Sequence, residues 1–138
     1  MDNEFFDLLT GSYQRLVGAP LGDDLDNADY GLLAHDTSAD PLFTYANATA
    51  LRLFEYSAEE FRGLPSRLSA EPDRQEDRDE FLKRVEKNGF GSGYSGVRIS
   101  KSGRRFRIEN VTLWNLVDAD GASHGQAARI GSWTDLSS

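Results

Sequence analysis

The sequence contains no cysteine, one methionine and two histidines. Without cysteine the chain forms no disulfide, no thiolate metal site, no cysteine nucleophile and no thiol-linked chromophore. Long apolar runs are also missing: no stretch approaches the ~18 residues that a membrane-spanning helix needs, and the first residues are acidic rather than basic. These absences remove several sensory chemistries and lead us to expect a cytoplasmic protein with no membrane partner.

The chain has 138 residues, of which 38% are hydrophobic, and this is enough for one domain with a sizeable core. Its charge is unevenly placed. Residues 1–60 carry 12 acidic side chains against two basic ones, whereas residues 61–138 carry 11 against 13, within a net charge of -8. With this charge and no helix-turn-helix pattern, we expect no nucleic-acid partner.

Residues 4–17 have the apolar spacing of an amphipathic helix, and Gly18 to Pro20 provides its stop. The aspartate-rich segment 22–29 predicts a solvated linker, because a calcium loop needs a glycine and a late glutamate at fixed spacing. We therefore divide the chain into an N-terminal helix and acidic linker, residues 1–29, and a main domain, residues 30–138.

The first part of the main domain reads as two short strands followed by two capped helices. Residues 30–35 and 41–46 have strand character and flank a turn-rich segment, so they predict a hairpin. Asn47 is placed to cap the next helix, Ser57 and Glu60 form a capping box for a second short helix, and Gly63 ends it. These roles explain the polar residues without catalysis.

The second part changes from helical to strand periodicity. Residues 73–88 predict a charged surface helix, and the glycine-rich segment 89–93 predicts a flexible connection rather than a phosphate loop, since it follows a helix. From Tyr94 onward the period is two, with a long strand over 105–117 and a last strand over 124–134. Helix, two strands, several helices and three antiparallel strands indicate an α+β fold.

Several separated motifs then resemble a known family in the expected order. Residues 45–63, 101–103 and 118–121 resemble the PAS superfamily, and residues 33–43, 63–71, 94–98 and 114–116 look like the MEKHLA family within it. The resemblance covers about residues 5–134. It implies a PAS-like five-stranded antiparallel sheet with helices over one face, and a sensory or protein-interaction role. It supplies no ligand, because one fold hosts many functions.

Strict alternation along the long strand places Asn110 and Thr112 under the helices, where interior polar groups need partners. A bound small molecule is one such partner; Gln126, Ser132, backbone or ordered water is the alternative. In PAS proteins that bind ligands, this inner face and its helices form the pocket. The candidate cavity lining is Phe43, Leu51, Phe54, Leu68, Ile108, Asn110, Thr112, Trp114 and Gln126.

The same alternation places a second apolar set on the outer face of the sheet. We expect this face to pack against the N-terminal helix or against a partner chain, which would make the protein a homodimer or join it to a signalling partner. The candidate interface residues are Phe5, Leu9, Leu16, Val111, Leu113 and Val117.

The sequence does not identify a cofactor. Amide side chains on late strands, here Asn110 and Gln126, resemble the arrangement in flavin photosensors, so non-covalent flavin is retained as a hypothesis. Haem is disfavoured because the helix over 73–88 has no histidine. His35 and Asp36 point to opposite faces of a strand, so no catalytic triad is expected, and no metal set is present. We expect a stand-alone sensory or interaction module that signals through dimerisation, a small-molecule sensor being the alternative, and no enzyme.

Overall fold

The computed structural model describes residues 3–22, 24–69 and 75–136. Its strands form one antiparallel sheet of five strands in the order β2-β1-β5-β4-β3. This confirms the predicted α+β class. The elements in chain order are α1 (Asn3–Val17), β1 (Gly31–His35), β2 (Phe43–Ala46), α2 (Ala48–Phe54), α3 (Ala58–Phe61), a 3-10 helix (Ser66–Ser69), α4 (Gln75–Asn88), β3 (Phe90–Ile99), β4 (Arg105–Val117) and β5 (Ser123–Asp135).

The predicted caps are present at both short helices. The Asn47 side chain accepts a hydrogen bond from the Ala50 N–H at the start of α2. At α3, the Ser57 hydroxyl accepts from the Glu60 N–H at 3.1 Å, and the Glu60 carboxylate accepts from the Ser57 N–H at 2.9 Å. The capping box therefore satisfies two helix-end donors that would otherwise lack partners.

Asn47 does more than cap a helix, because it is completely buried. Its carbonyl oxygen also accepts from Leu32 of β1, and its amide nitrogen donates to the backbone oxygens of Leu25 and Tyr30. One side chain thus joins the linker, the first strand and α2, with all of these bonds inside the protein.

The helix α1 packs on the outer face of the sheet. Leu9 is fully buried there, and the Tyr13 ring meets the ring of Trp114 edge-on with centroids 4.7 Å apart. The buried Ser12 hydroxyl accepts from the Val117 N–H at 2.9 Å and donates to the Val117 carbonyl at 2.8 Å. In this way a helix side chain makes the two bonds that a neighbouring strand would have made.

The linker before β1 is also attached to this outer core. Leu21 and Leu25 are buried, and the Tyr45 hydroxyl donates to the Asp26 carboxylate. Burial raises the pKa of Tyr45, and the Asp26 carboxylate raises it further. The segment 22–29, which the sequence predicts to be solvated, therefore contributes Leu25 to the core, next to Leu21 just before it.

The helices α2, α3 and α4 lie on the opposite, inner face. Phe54 of α2 and Phe61 of α3 are buried against the strands, and Phe61 stacks on Phe43 with centroids 4.1 Å apart. Phe81 of α4 contacts Tyr94 of β3, at the edge of the sheet. Helices therefore cover both faces, with α1 alone on the outer one.

Glu55 fastens α2 to the hairpin between β3 and β4. Its carboxylate accepts from the Ser100 hydroxyl, the Ser102 N–H and Arg104. Hydrogen bonds from Ser102 and Ser100 lower the pKa of Glu55 to about 2. The carboxylate is therefore charged across the neutral range and holds one end of the inner helical layer.

The long strand β4 does not alternate regularly, and this overturns the predicted assignment of its two faces. Asn110 has a left-handed backbone with φ of 54°. Before it, Phe106 and Ile108 belong to the inner core; after it, Val111 does so too, while Trp114 and Leu116 belong to the outer core. A one-residue change of phase moves every following side chain to the other face.

The neighbouring strand changes phase at the same level. Ile130 of β5 lies in the inner core, and Trp133, three residues later, borders a surface groove with Leu53 of α2. Glu109 pairs with Ser132 and Val111 pairs with Ile130, so the register between β4 and β5 is the same before and after Asn110. Both strands therefore rotate together at Asn110 and Gly131.

The glycine-rich segment after α4 is a strand rather than the predicted flexible connection. Residues from Phe90 onward belong to β3, with register shifts near Tyr94. A Cβ atom on Gly91 would lie 2.9 Å from the Phe81 ring and 3.1 Å from Val85. Glycine here lets α4 approach the sheet more closely than any side chain allows.

Candidate functional site

A cavity of about 460 Å³ lies between the inner face of the sheet and its helices. The sheet supplies an apolar floor that includes Ile108, Val111 and Ile130, and the helical layer supplies the aromatic side chains of Phe54 and Phe81. The residues around it are Leu33, His35, Pro41, Phe43, Phe54, Ser66, Arg67, Ser69, Phe81, Leu82, Tyr94, Arg98, Ile108, Val111, Leu113, Gln126, Ala127, Ala128 and Ile130. This volume is within the range of sites that bind small molecules.

One end of the cavity is polar because of residues on three adjacent strands. Gln126 of β5 pairs with His35 of β1 and with Asn115 of β4. The Gln126 amide donates to the Asn115 carbonyl oxygen at 3.1 Å, and His35 Nδ1 lies 2.9 Å from the Asp36 carbonyl. A ligand here would meet the Gln126 amide, which Asn115 behind it holds in place.

The other end lies near β3. Arg98 Nη1 donates to its neighbour's carbonyl, that of Val97, at 2.9 Å, and Arg98 Nη2 lies 3.4 Å from the Tyr94 hydroxyl. The guanidinium carbon is 5.8 Å from the centre of the Tyr94 ring. Arg98 therefore folds back along its strand and brings a positive charge to the cavity wall.

Four of the predicted lining residues border the cavity: Phe43, Phe54, Ile108 and Gln126. Leu51 is half-buried against the inner core, and Leu68 is 51% exposed. Asn110, Thr112 and Trp114 lie elsewhere because of the change of phase. Asn110 is exposed and donates to the Ser132 hydroxyl at 2.8 Å, Thr112 lies 3.2 Å from the Ser92 hydroxyl, and Trp114 is in the outer core.

The predicted interface residues are also redistributed. Phe5, Leu9 and Leu16 pack on the chain's own sheet in the outer core. Val111 and Leu113 are on the inner face and border the cavity, where the prediction had placed them on the outer face. Val117 is half-buried, and its backbone is bonded to Ser12 of α1. These six residues therefore do not form one free surface.

The sequence analysis missed the polar side chains of His35, Tyr94 and Arg98 at the cavity, and it placed Asn115, the partner of Gln126, on the wrong face. Regular alternation placed it on the outer face, whereas the change of phase places it beside Gln126. Two apolar sets in opposite phase, Phe106 with Ile108 and Val111 with Leu113, were the available signal. Asn110 between them is a residue type that accepts a left-handed backbone.

Comparison with known proteins agrees with this architecture. A family model described as the MEKHLA domain matches residues 3–135. The chain belongs to the MEKHLA domain family. Curated relatives include the homeobox-leucine zipper protein ATHB-14 of Arabidopsis thaliana, which is 29% identical over 99 residues, and ATHB-9 of the same plant, at 27%. These matches cover 71% of the chain but only 12% of each relative.

Solved structures share the fold of this MEKHLA domain at low identity. The PAS domain of a protein from Colwellia psychrerythraea matches with a TM-score of 0.65 and 19% identity, over 82% of this chain and 91% of the other. A Light-Oxygen-Voltage domain studied with a flavin analogue matches with a TM-score of 0.61 and 19% identity, over 82% of each chain. The MEKHLA domain therefore has the PAS fold.

No helix in the described ranges is long and apolar enough to cross a membrane. The described residues also contain no group of three or more histidine or acidic side chains placed to hold a metal ion.

Proposed function

We propose that this MEKHLA domain is a sensory module whose input is a small molecule bound in the inner cavity. The observation that carries the proposal is the cavity itself, about 460 Å³ with aromatic and aliphatic walls and one polar end. Apolar walls with a few placed polar groups are typical of small-molecule sites.

The cavity is bordered by elements that differ in how firmly they are attached. The sheet floor is held by hydrogen bonds between five strands, whereas the wall formed by Ser66 to Ser69 is one short 3-10 turn. Phe81 and Leu82 bring α4 to the same cavity. A ligand that contacts the floor, the turn and α4 together would change their relative stability, and this is the simplest way to convert binding into a signal.

Retention of a ligand tests the proposal. Native mass spectrometry and absorbance of freshly purified protein should reveal bound mass, and a flavin would show its visible absorption. Ala128→Leu adds volume to the cavity floor and should abolish retention while the protein stays folded. Ala122→Leu, at an exposed position between β4 and β5, is the matched control and should retain the ligand. A crystal structure with a collapsed, filled interior would contradict the proposal.

Signalling through dimerisation stays a prediction. The residues that suggested dimerisation pack against other parts of the same chain, so a dimer would need another surface. Light scattering at high protein concentration measures this directly, and a strict monomer would exclude a homodimer as the output.

A further inference from the structure

Both arginines that border the cavity already have partners in the chain. The Arg67 Nε lies 3.1 Å from the Asp40 carboxylate, and Arg98 donates to the Val97 carbonyl at 2.9 Å, beside further contacts of its own. None of the described lining residues is acidic. The cavity therefore offers a ligand neither a free arginine nor a carboxylate, and its hydrogen bonds to a ligand must come from uncharged polar groups.

The Gln126 amide, at the polar end of the cavity, is held in one orientation. Its neighbour Asn115 turns its amide nitrogen towards the Val85 carbonyl of α4, 3.5 Å away, so the Asn115 oxygen faces Gln126. That oxygen can only accept, and the Gln126 nitrogen donates to it at 3.1 Å. The Gln126 oxygen is thereby turned away from Asn115, and it accepts no hydrogen bond from the described residues.

His35 brings a second acceptor to the same place. It pairs directly with Gln126 across β1 and β5, and side chains opposite each other in an antiparallel pair have Cβ atoms about 5 Å apart. His35 Nδ1 lies 2.9 Å from the Asp36 carbonyl oxygen, which only accepts, so Nδ1 carries the proton. In a neutral imidazole the other nitrogen, Nε2, is then an acceptor, and no described residue donates to it.

Neither acceptor is sealed inside the protein. Among the described residues, the one buried side-chain nitrogen or oxygen atom without a hydrogen bond is Nε1 of Trp114, in the outer core. Gln126 and His35 are half-buried, and both belong to the cavity wall. Two accessible acceptors therefore lie side by side at this end, and a ligand that donates hydrogen bonds would satisfy them.

The rest of the wall is largely apolar, and the rings of Phe43, Phe54 and Phe81 border it. Aromatic rings pack well against such side chains. We infer that the cavity binds a neutral aromatic molecule that carries a hydrogen-bond donor, a phenolic hydroxyl or an N–H group, and that this donor bonds to the acceptor pair of Gln126 and His35. This rests on the proposed function and narrows it to a class of ligand.

Two neutral compounds with the same naphthalene body test the inference: 2-naphthol, which has a hydroxyl donor, and 2-methoxynaphthalene, which has none. Fluorescence titration of the full chain should give binding of 2-naphthol that is about fivefold tighter or more, the scale of a neutral hydrogen bond. Gln126→Met combined with His35→Phe removes both acceptors and should bind the two compounds equally, within about twofold. Gln14→Met, at an exposed position of α1, is the matched control and should keep the preference.

Asn115→Leu tests the orientation of the amide and leaves both acceptors in the chain. The Gln126 nitrogen then loses the partner that holds it, so the amide can turn its nitrogen towards the cavity. The preference for 2-naphthol should fall, while 2-methoxynaphthalene should bind as it does to the wild type. Equal weakening of both compounds, or an unchanged preference, would contradict the inference.

The remaining outcomes separate the inference from the proposed function. If 2-methoxynaphthalene binds to the wild type as tightly as 2-naphthol, or if the anion 2-naphthoate binds more tightly than either, the inferred ligand class is wrong and the sensory cavity stands. If Ala128→Leu leaves 2-naphthol bound at full strength, binding is outside the cavity and the inference fails. If neither compound binds, the inference fails, and a filled interior in a crystal would show that the proposed function fails with it.

Discussion

The two faces of the sheet are built differently. The outer face is covered by one helix of 15 residues together with two leucines of the linker, and Leu9 of the helix and Trp114 and Leu116 of the sheet have at most 1% exposure. The inner face is covered by α2 and α3, of seven and four residues, with a 3-10 turn and α4 completing the cover. One helix packs closely on the outer face, whereas the three helices and the 3-10 turn on the inner face leave a cavity between them, although α4 with 14 residues is nearly as long as α1.

The difference indicates a division of labour within one fold. The outer core packs closely around the fully buried Trp114, while the inner layer leaves a cavity of about 460 Å³. Packed interiors gain from every contact that a void loses, so the cavity makes the inner face less stable than a filled one would be.

The sharpest test of the comparison is a matched pair of truncations. Leu9→Ala removes a fully buried side chain from the outer core and should lower the free energy of unfolding by about 3–5 kcal/mol. Leu113→Ala, on the cavity wall, should cost about half of that or less, because its side chain already borders empty space. Urea unfolding measures both. Equal costs would show that the inner face is packed as tightly as the outer one.

The next largest effect is expected at Asn47, which connects the two regions. Asn47→Ala removes the partners of two buried N–H groups and two carbonyls, and should cost about 2–4 kcal/mol. Ser57→Ala, at an exposed cap, is the control and should cost about 1 kcal/mol. If thermal or urea unfolding gave similar losses for both, the buried network would have no importance beyond capping.

A smaller loss of stability is expected for substitutions at Asn110, where the alternation of β4 changes phase. Asn110→Val forces a β-branched residue into a left-handed backbone and should cost about 1–2 kcal/mol. Asn110→Gly accepts that backbone and should change unfolding by less than about 0.5 kcal/mol, apart from the lost bond to Ser132. A valine variant as stable as the wild type would argue against the left-handed backbone and hence against the change of phase.

The smallest effect concerns Glu55, which fastens the inner helical layer. Its pKa is lowered from 4.5 to about 2 in the folded protein, so its stabilising contribution is complete above about pH 4.5 and is lost as the pH falls towards 2. Unfolding measured from pH 7 down to pH 2 should therefore show a smaller loss of stability in Glu55→Gln than in the wild type. Parallel curves would mean that the carboxylate has the same pKa in the folded and unfolded states.

The sequence was sufficient for the fold where the signals were local. Asn47, Ser57 and Glu60 follow capping rules that depend on neighbours three residues away, and their predicted roles are confirmed. The hairpins likewise follow from short turn segments. Local rules work here because the partner groups lie within one helical turn or one tight turn.

The candidate site was predicted only in part, because its contents depend on one backbone angle. Before the change of phase at Asn110, Ile108 was placed correctly; after it, Thr112, Trp114 and Leu113 were assigned to the wrong faces. Gln126 borders the cavity, and its prediction rested on its being an amide side chain on a late strand, not on the alternation of β4. Side chains alternate between the two faces only while the backbone stays extended. The apolar pattern on either side of Asn110 does not show by itself that the backbone departs from this conformation.

The shared change of phase in β4 and β5 also sets which insertions and deletions the gene can tolerate. Deleting Asn110 alone would leave β4 with strict alternation, so that Val111 stays on the inner face and Trp114 on the outer one, but it would put β4 one residue out of register with β5. Deleting Gly131 as well would keep the two strands in step with each other. We therefore expect natural relatives to gain or lose these two positions as a pair, and a length difference in only one strand to mark a cavity of different shape.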